Sequence, residues 1–220
     1  MPLNLPKPII YLITSGATTQ GSTPVSEDFQ QVLALVRAAT HARIPLVQLR
    51  EKNLTTRTLY ELAARSSEIT RGTETRLLIN DRADIARAAR ADGCHLTMRS
   101  LDVSVIRRTF GTDLLIGVST HSLAEALAAR DDGADFTVFG PVFDTPSKHA
   151  YGEPVGLESL RDAAQKLSPF PLVALGGITN ENAPDALRAG ASGVAAIRLF
   201  ADAQKLEATV AAIRDRWIAT

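Results

Sequence analysis

Phe136-Thr137-Val138-Phe139-Gly140-Pro141-Val142-Phe143-Asp144-Thr145-Pro146-Ser147-Lys148 begins as an apolar run, breaks at glycine–proline and continues into hydroxyls and one lysine. Residues 136–139 read as a buried strand, because a short uncharged run bounded by turn residues has nowhere to stand but a sheet interior. Beyond it, Gly140 lets the backbone fold back and expose amide N–H groups, and Lys148 offers a point charge suited to phosphate. One such loop is ordinary punctuation. Its meaning depends on whether other loops repeat the design.

They do. Upstream, the apolar run at 114–118 opens into Ser119-Thr120-His121, 93–96 (with His95 inside it) into Thr97, 77–79 into Asn80-Asp81, 46–50 into Lys52, and 9–13 into Thr14-Ser15-Gly16. Downstream, 171–175 ends at Gly176-Gly177 and 193–197 at Arg198. Between these runs, apolar residues recur at helical spacing over 29–42, 55–71, 85–91, 103–110, 123–130, 157–167, 182–189 and 202–217. Gly72, Gly111, Gly133 and Gly190 follow helical stretches where a C′ glycine belongs. The related turns Ala91-Asp92-Gly93, Gly133-Ala134-Asp135 and 190–193 read as a repeated helix-to-strand connection. Strands alternating with helices imply a parallel sheet with crossover helices. Eight units in 220 residues favour a closed (β/α)8 TIM barrel, an α/β fold occupying residues 1–220 as one domain.

Composition narrows the partners. Lysine plus arginine total 24 and aspartate plus glutamate total 24, so no net charge draws the chain to nucleic acid or to a membrane surface. Cys94 is the only cysteine, which rules out an intrachain disulfide and suits a reducing compartment. The opening residues carry Pro2, Pro6 and Pro8 rather than an apolar leader, and no run approaches the length of a membrane span. A cytoplasmic enzyme acting on small molecules is the expectation, and the barrel's outer helices leave room for a homo-oligomer.

In a barrel, chemistry gathers where the strands end. Gln48, Arg50, Lys52, Asn80, Asp81, Ser119, His121, Lys148, Gly177 and Arg198 all fall there, together with Thr145 and Ser147. Cations, hydroxyls and glycine N–H groups on one face describe a site for phosphorylated ligands. Asp81 with its neighbouring amide suits a hard cation such as Mg²⁺. Each residue also has a plainer reading. Glu51 could pair with Arg50 and Lys52 at the rim, and Asp81 could start a helix. His95 could be a satisfied interior histidine, and Ser119 or Ser122 an N-cap. Gly176-Gly177 could be only a turn, and Arg198 could pair with a nearby acid. The long polar stretch at 14–26 reads as a candidate lid over the same face.

Taken together, Gln48-Leu49-Arg50-Glu51-Lys52, Asn80-Asp81, Gly117-Val118-Ser119-Thr120-His121-Ser122, Gly140-Pro141-Val142-Phe143 with Thr145 and Ser147-Lys148, and Gly176-Gly177-Ile178-Thr179 resemble the thiamine phosphate synthase family, which includes thiazole tautomerases. The resemblance runs over residues 10–200 and implies the joining of hydroxymethylpyrimidine diphosphate to thiazole phosphate, with loss of pyrophosphate. It implies that Gln48, Arg50, Lys52, Asn80 and Lys148 grip the diphosphate, that Asp81 holds Mg²⁺ and that Ser119 bonds the leaving pyrophosphate. Thr145, Ser147, Gly177 and Ile197 would bind the thiazole phosphate. Two departures stand out. Synthases usually read Gly-Gln-x-Asp where this chain has Thr97-Met98-Arg99-Ser100, so the second metal carboxylate is absent and Asp102 belongs with the next helix. Arg198 stands where serine is usual beside the thiazole phosphate. A tautomerase using His121 as acid/base, or a precursor-binding protein without turnover, are the alternatives.

Overall fold

The computed structural model describes residues 5–97, 99–144 and 153–218. Eight parallel strands close into a barrel in chain order. They are β1 (Ile9–Ile13), β2 (Leu46–Leu49), β3 (Arg76–Asn80) and β4 (Gly93–Leu96), then β5 (Leu115–Thr120), β6 (Phe136–Phe139), β7 (Leu172–Leu175) and β8 (Gly193–Ala196). Pairing of β1 with β8, from Ile9 opposite Gly193 to Leu12 opposite Ala196, closes the ring. Each strand is followed by its helix: α1 (Glu27–His41), α2 (Thr56–Thr70), α3 (Ala83–Ala88) and α4 (Val103–Phe110) in the first half. The second half adds α5 (Leu123–Asp131), α6 (Gly156–Leu167), α7 (Ala183–Arg188) and α8 (Leu206–Ile218). The expected TIM barrel is the fold. Among the described residues, no helix is long and apolar enough to cross a membrane.

Alternation along each strand makes two cores. One lies between strands and helices and takes Ile10, Leu12, Val47, Leu77, Ile79, Cys94 and Ile116, against which α1 buries Phe29, Val32, Leu33, Val36 and Ala39. The other fills the barrel with Ile9, Tyr11, Ile13, Leu46, Leu78, Phe136, Val138, Val173 and Ala195. Gly117 is what admits the Phe136 ring to that interior. A Cβ there would sit 2.3 Å from Phe136 Cζ and 2.8 Å from His95 Nδ1. The Tyr11 ring meets Phe136 edge-on, with centroids 5.7 Å apart.

Helix ends follow local chemistry. Thr55 caps α2 by accepting from Thr58 N at 3.2 Å, and Ser122 caps α5 by accepting from Glu125 N at 3.2 Å. Glu125 Oε2 reaches back to the His121 N–H at 2.7 Å, fixing the turn between β5 and α5. The four glycines expected after helices all have φ between 76° and 101°. The helix expected at 85–91 is shorter and earlier as α3, and the one expected at 202–217 starts at Leu206, after the 3₁₀ turn Arg198–Phe200.

The helix-to-strand turns carry a second device. Asp92 accepts from Leu77 N at 2.8 Å and from Arg76 at 2.9 Å. Asp135 accepts from Ile116 N at 2.7 Å and from Arg107 at 2.6 Å. Each carboxylate satisfies an amide near the start of the preceding strand and an arginine beside it, which knits the barrel's N-terminal face.

Candidate active site

At the C-terminal ends of the strands, inward positions turn polar. Gln48 Nε2 donates to Asn80 Oδ1 at 2.9 Å, and Tyr11 OH donates to Gln48 Oε1 at 3.2 Å. His95 Nδ1 lies 3.2 Å from the same phenol oxygen, and its Nε2 lies 2.8 Å from Ser119 Oγ. With Tyr11 donating to Gln48, the phenol oxygen accepts from Nδ1–H, and Nε2 accepts the serine hydroxyl. Reversing both amides would reverse every bond, so polarity is a property of the whole chain of five groups. Burial lowers the His95 pKa to about 3 and raises that of Tyr11 well above the usual phenol value. The imidazole is therefore neutral, as its one-donor, one-acceptor position requires. Burial likewise pushes the Cys94 thiol up to about 12, which leaves it an inert core group.

Beside this chain opens a cleft of ≈ 290 Å³ whose polar lining is Glu51, Lys52, Asn80, Asp81, Arg82 and Thr97, together with leucines of β2 and α2. Asp81 follows the last residue of β3 in the left-handed conformation (φ 58), a region aspartate tolerates better than most residues, and its N–H donates to His95 O at 2.8 Å. Desolvation, and then the Arg50 charge, lower the Lys52 pKa, with Asp81 opposing and Arg99 adding to the effect. Among the described residues, neither Arg50 nor Lys52 forms an ion pair, whereas the neighbouring Arg82 is held by Asp84 at 2.7 Å. Glu51, expected as their partner at the rim, turns away from both. Its carboxylate is buried against Thr14, Gly16 and Thr18 instead. Consecutive residues at a strand end face opposite ways, and Glu51 follows that rule.

The other sequence candidates are distributed as follows. Ser100 Oγ accepts from Thr97 N at 2.8 Å and lies 3.2 Å from Thr97 Oγ1, so it closes a turn. Asp102 is the N-cap residue of α4, one position before the helix. Gly177 has φ 63, and a Cβ there would lie 2.6 Å from Asp144 O and 2.7 Å from Phe143 Cβ, so the β6 and β7 loops touch through it. Asn182 Nδ2 donates to Gly177 O at 2.8 Å and holds that turn. Ile197 is half-buried and packs on the barrel interior, while Arg198 is exposed. His121 lines a separate cavity of ≈ 500 Å³ with Phe139, Glu158 and Asp162, not the Lys52–Asp81 cleft. Thr145, Ser147, Lys148 and Met98 lie outside the described residues.

The loop at 14–26, read as a lid, is tied down. Glu51 and Asn53 fasten its first part, and Ser22 and Ser26 both bond the Asp28 carboxylate. Sequence reasoning passed over Tyr11, and gave His95 and Glu51 plainer roles than their bonds suggest. The available signal was a tyrosine and a histidine in inward register within apolar strands.

A metal can be tested against the donors present. Among the described residues there is no group of three or more His, Cys, Asp or Glu able to hold a metal ion. Asp84 is committed to Arg82, and Asn80 Oδ1 accepts from Gln48. What remains is one exposed carboxylate, Asp81. That set fits a hard cation shared with a phosphorylated ligand and water, as Mg²⁺ is commonly held, and does not make a preformed cage.

The family model described as "Thiamine monophosphate synthase" matches residues 11–200. A protein of Geobacter sulfurreducens is 47% identical over 188 residues, covering 86% of this chain and 84% of its own. The thiamine-phosphate synthase of Chloroflexus aurantiacus is 38% identical over 205 residues, 93% of this chain and 90% of that protein. Among solved structures, the thiamine phosphate pyrophosphorylase from Pyrococcus furiosus superposes with a TM-score of 0.78 at 29% identity, covering 96% of both chains. With the barrel, the polar strand ends and the matched span in agreement, this chain belongs to the thiamine monophosphate synthase family.

Proposed function

We propose that this chain is a transferase that makes thiamine phosphate, acting in the cytoplasm on two phosphorylated precursors. The C–O bond of the pyrimidinylmethyl diphosphate breaks, and pyrophosphate leaves with the electron pair. The thiazole nitrogen lone pair then forms the C–N bond to the resulting cation. The observation that carries this reading is a pair of cations, Arg50 and Lys52, without ion-pair partners among the described residues, in a chain that belongs to the thiamine monophosphate synthase family. Fixed charges aimed at a leaving group stabilise the charge as it develops, without reorganisation at the moment of bond breaking.

Arg50, Lys52 and Lys148 grip the diphosphate, with Gln48 and Asn80 positioning it through their shared hydrogen bond. Ser119 bonds the leaving pyrophosphate at one end of the buried polar chain. Thr145, Ser147, Gly177 and Ile197 receive the thiazole phosphate, and Arg198 adds a cation beside it. Asp81 would hold Mg²⁺, which would supply charge neutralisation of the leaving group. Purified protein given both precursors and Mg²⁺ is expected to release pyrophosphate and form thiamine phosphate. Folded protein that forms neither product excludes the reading. His121 opens to a different cavity, so His121→Ala is expected to keep the synthase rate within about threefold, since it touches no group where charge develops.

A further inference from the structure

Glu51 stands between two cations in sequence and is bonded to neither. Its side chain is 2% exposed, yet all of its acceptor capacity is used. Thr14 Oγ1 donates to Oε1 at 2.6 Å and Gly16 N at 3.2 Å. Thr18 donates to Oε2 twice, from Oγ1 at 2.6 Å and from N at 3.2 Å. A carboxylate accepts about four hydrogen bonds, so its charge is matched wholly by the loop.

The same segment is fastened to the end of β2 by two further bonds. Arg50 N donates to Thr14 Oγ1 at 2.8 Å, and Asn53 Nδ2 donates to Thr18 O at 3.2 Å. Gly16 runs beside the Arg50 side chain. A Cβ at Gly16 would lie 3.1 Å from Arg50 O and 3.6 Å from Arg50 Nη1. The glycine has φ 76, a left-handed turn that lets its N–H face Glu51 while its backbone passes the guanidinium. Were Glu51 released from the loop, it would be a buried carboxylate within one residue of each cation, and an ion pair with either would compete with an anionic ligand.

The geometry points to Glu51 as a positioning residue. It clamps residues 14–18 beside Arg50 and thereby keeps Arg50 and Lys52 uncompensated and aimed at a diphosphate. The inference rests on the diphosphate reading of the cleft; Glu51 helps to line that cleft, but its carboxylate oxygens are engaged by the loop, so its role does not require contact with the substrate. A purely structural role would lower stability and leave ligand affinity alone.

The test uses the full chain and inorganic pyrophosphate with Mg²⁺, followed by titration calorimetry, alongside steady-state kinetics. Glu51→Gln places an amide where Thr18 N–H needs an acceptor, and Thr18→Val removes one bond from the loop side without altering Glu51. Each variant is expected to weaken pyrophosphate about tenfold, the scale of one hydrogen bond to a charged group. KM for the pyrimidine diphosphate rises to a similar degree, while kcat stays within about threefold, because grip is lost and not chemistry. If Glu51→Gln does not fold, Thr18→Val carries the test, since its shape is kept. Unchanged pyrophosphate affinity and KM in a folded variant overturn the inference, as does a fall in kcat at constant KM. Failure of the unaltered protein to bind pyrophosphate would overturn the cleft reading and this inference together, so the two failures are distinguishable.

Discussion

His95 shows how much one buried side chain can set. It sits in the middle of the polar chain from Asn80 to Ser119, with both nitrogens engaged, and burial holds its pKa near 3. In the unfolded chain the imidazole returns to about 6.5. Between these values the unfolded state binds the extra proton, so stability is complete above about pH 6.5 and falls as pH drops toward 3. His95→Gln is expected to flatten urea-derived stability between pH 4.5 and 6.5, by up to about 1.4 kcal/mol per pH unit, the slope of one proton. An unchanged slope would mean that His95 titrates normally in the folded protein. Gly117 belongs to the same cluster: its missing side chain leaves the space that His95 and Phe136 share.

At the scale of elements, the turns entering the strands are built for stability and those leaving them for ligands. Asp135 joins Ile116 N and Arg107 across β5 and β6, and both side chains of that pair are largely buried. Asp135→Ala would strand a buried amide and an arginine, costing about 2 kcal/mol. In a chain of this length that lowers Tm by about 4–8 °C. The more exposed Asp92–Arg76 pair should cost less when removed in the same way, because water replaces the lost partner. Equal losses at the two turns would show that burial is not what decides the difference. At the opposite face, the clamp of Glu51 on residues 14–18 makes a fixed wall of a loop whose composition alone suggests mobility.

For the molecule as a whole, net charge says nothing about the site. The chain balances to zero, yet one end of the barrel holds Arg50 and Lys52 with no acid paired to either among the described residues. Such a site should respond to an anion and a cation together. Mg²⁺ alone is expected to leave Tm within about 1 °C, because a single carboxylate binds it weakly. Pyrophosphate with Mg²⁺ at about one hundred times its dissociation constant adds about 2.7 kcal/mol to the folded state. Differential scanning fluorimetry then registers a rise of several degrees; a rise with Mg²⁺ alone would point to a complete metal site in the free protein.

The strands were legible because a barrel strand is buried on both faces and reads as an apolar run, and the turns because they need glycine or a cap. Gln48, Asn80 and Asp81 were legible as polar groups at the ends of such runs. The family resemblance rests on those same stretches, and the matched span of residues 11–200 agrees with it. Helix limits at α3 and α8 shifted because fraying ends depend on packing more than on propensity. What sequence could not show is which groups meet across the barrel. Tyr11 and His95 are 84 residues apart, and His95 and Ser119 are 24 apart. Pairing of β4 with β5 sets His95 beside Ser119, and curling of the sheet into a closed barrel brings Tyr11 of β1 to His95 of β4. Glu51 makes the same point at short range: its neighbours in sequence are Arg50 and Lys52, but strand alternation turns it toward Thr14 and Thr18. Sequence by itself determined the barrel and the polar strand ends, through local patterning; tertiary structure alone decided the partners, because hydrogen bonds form between groups that folding makes adjacent.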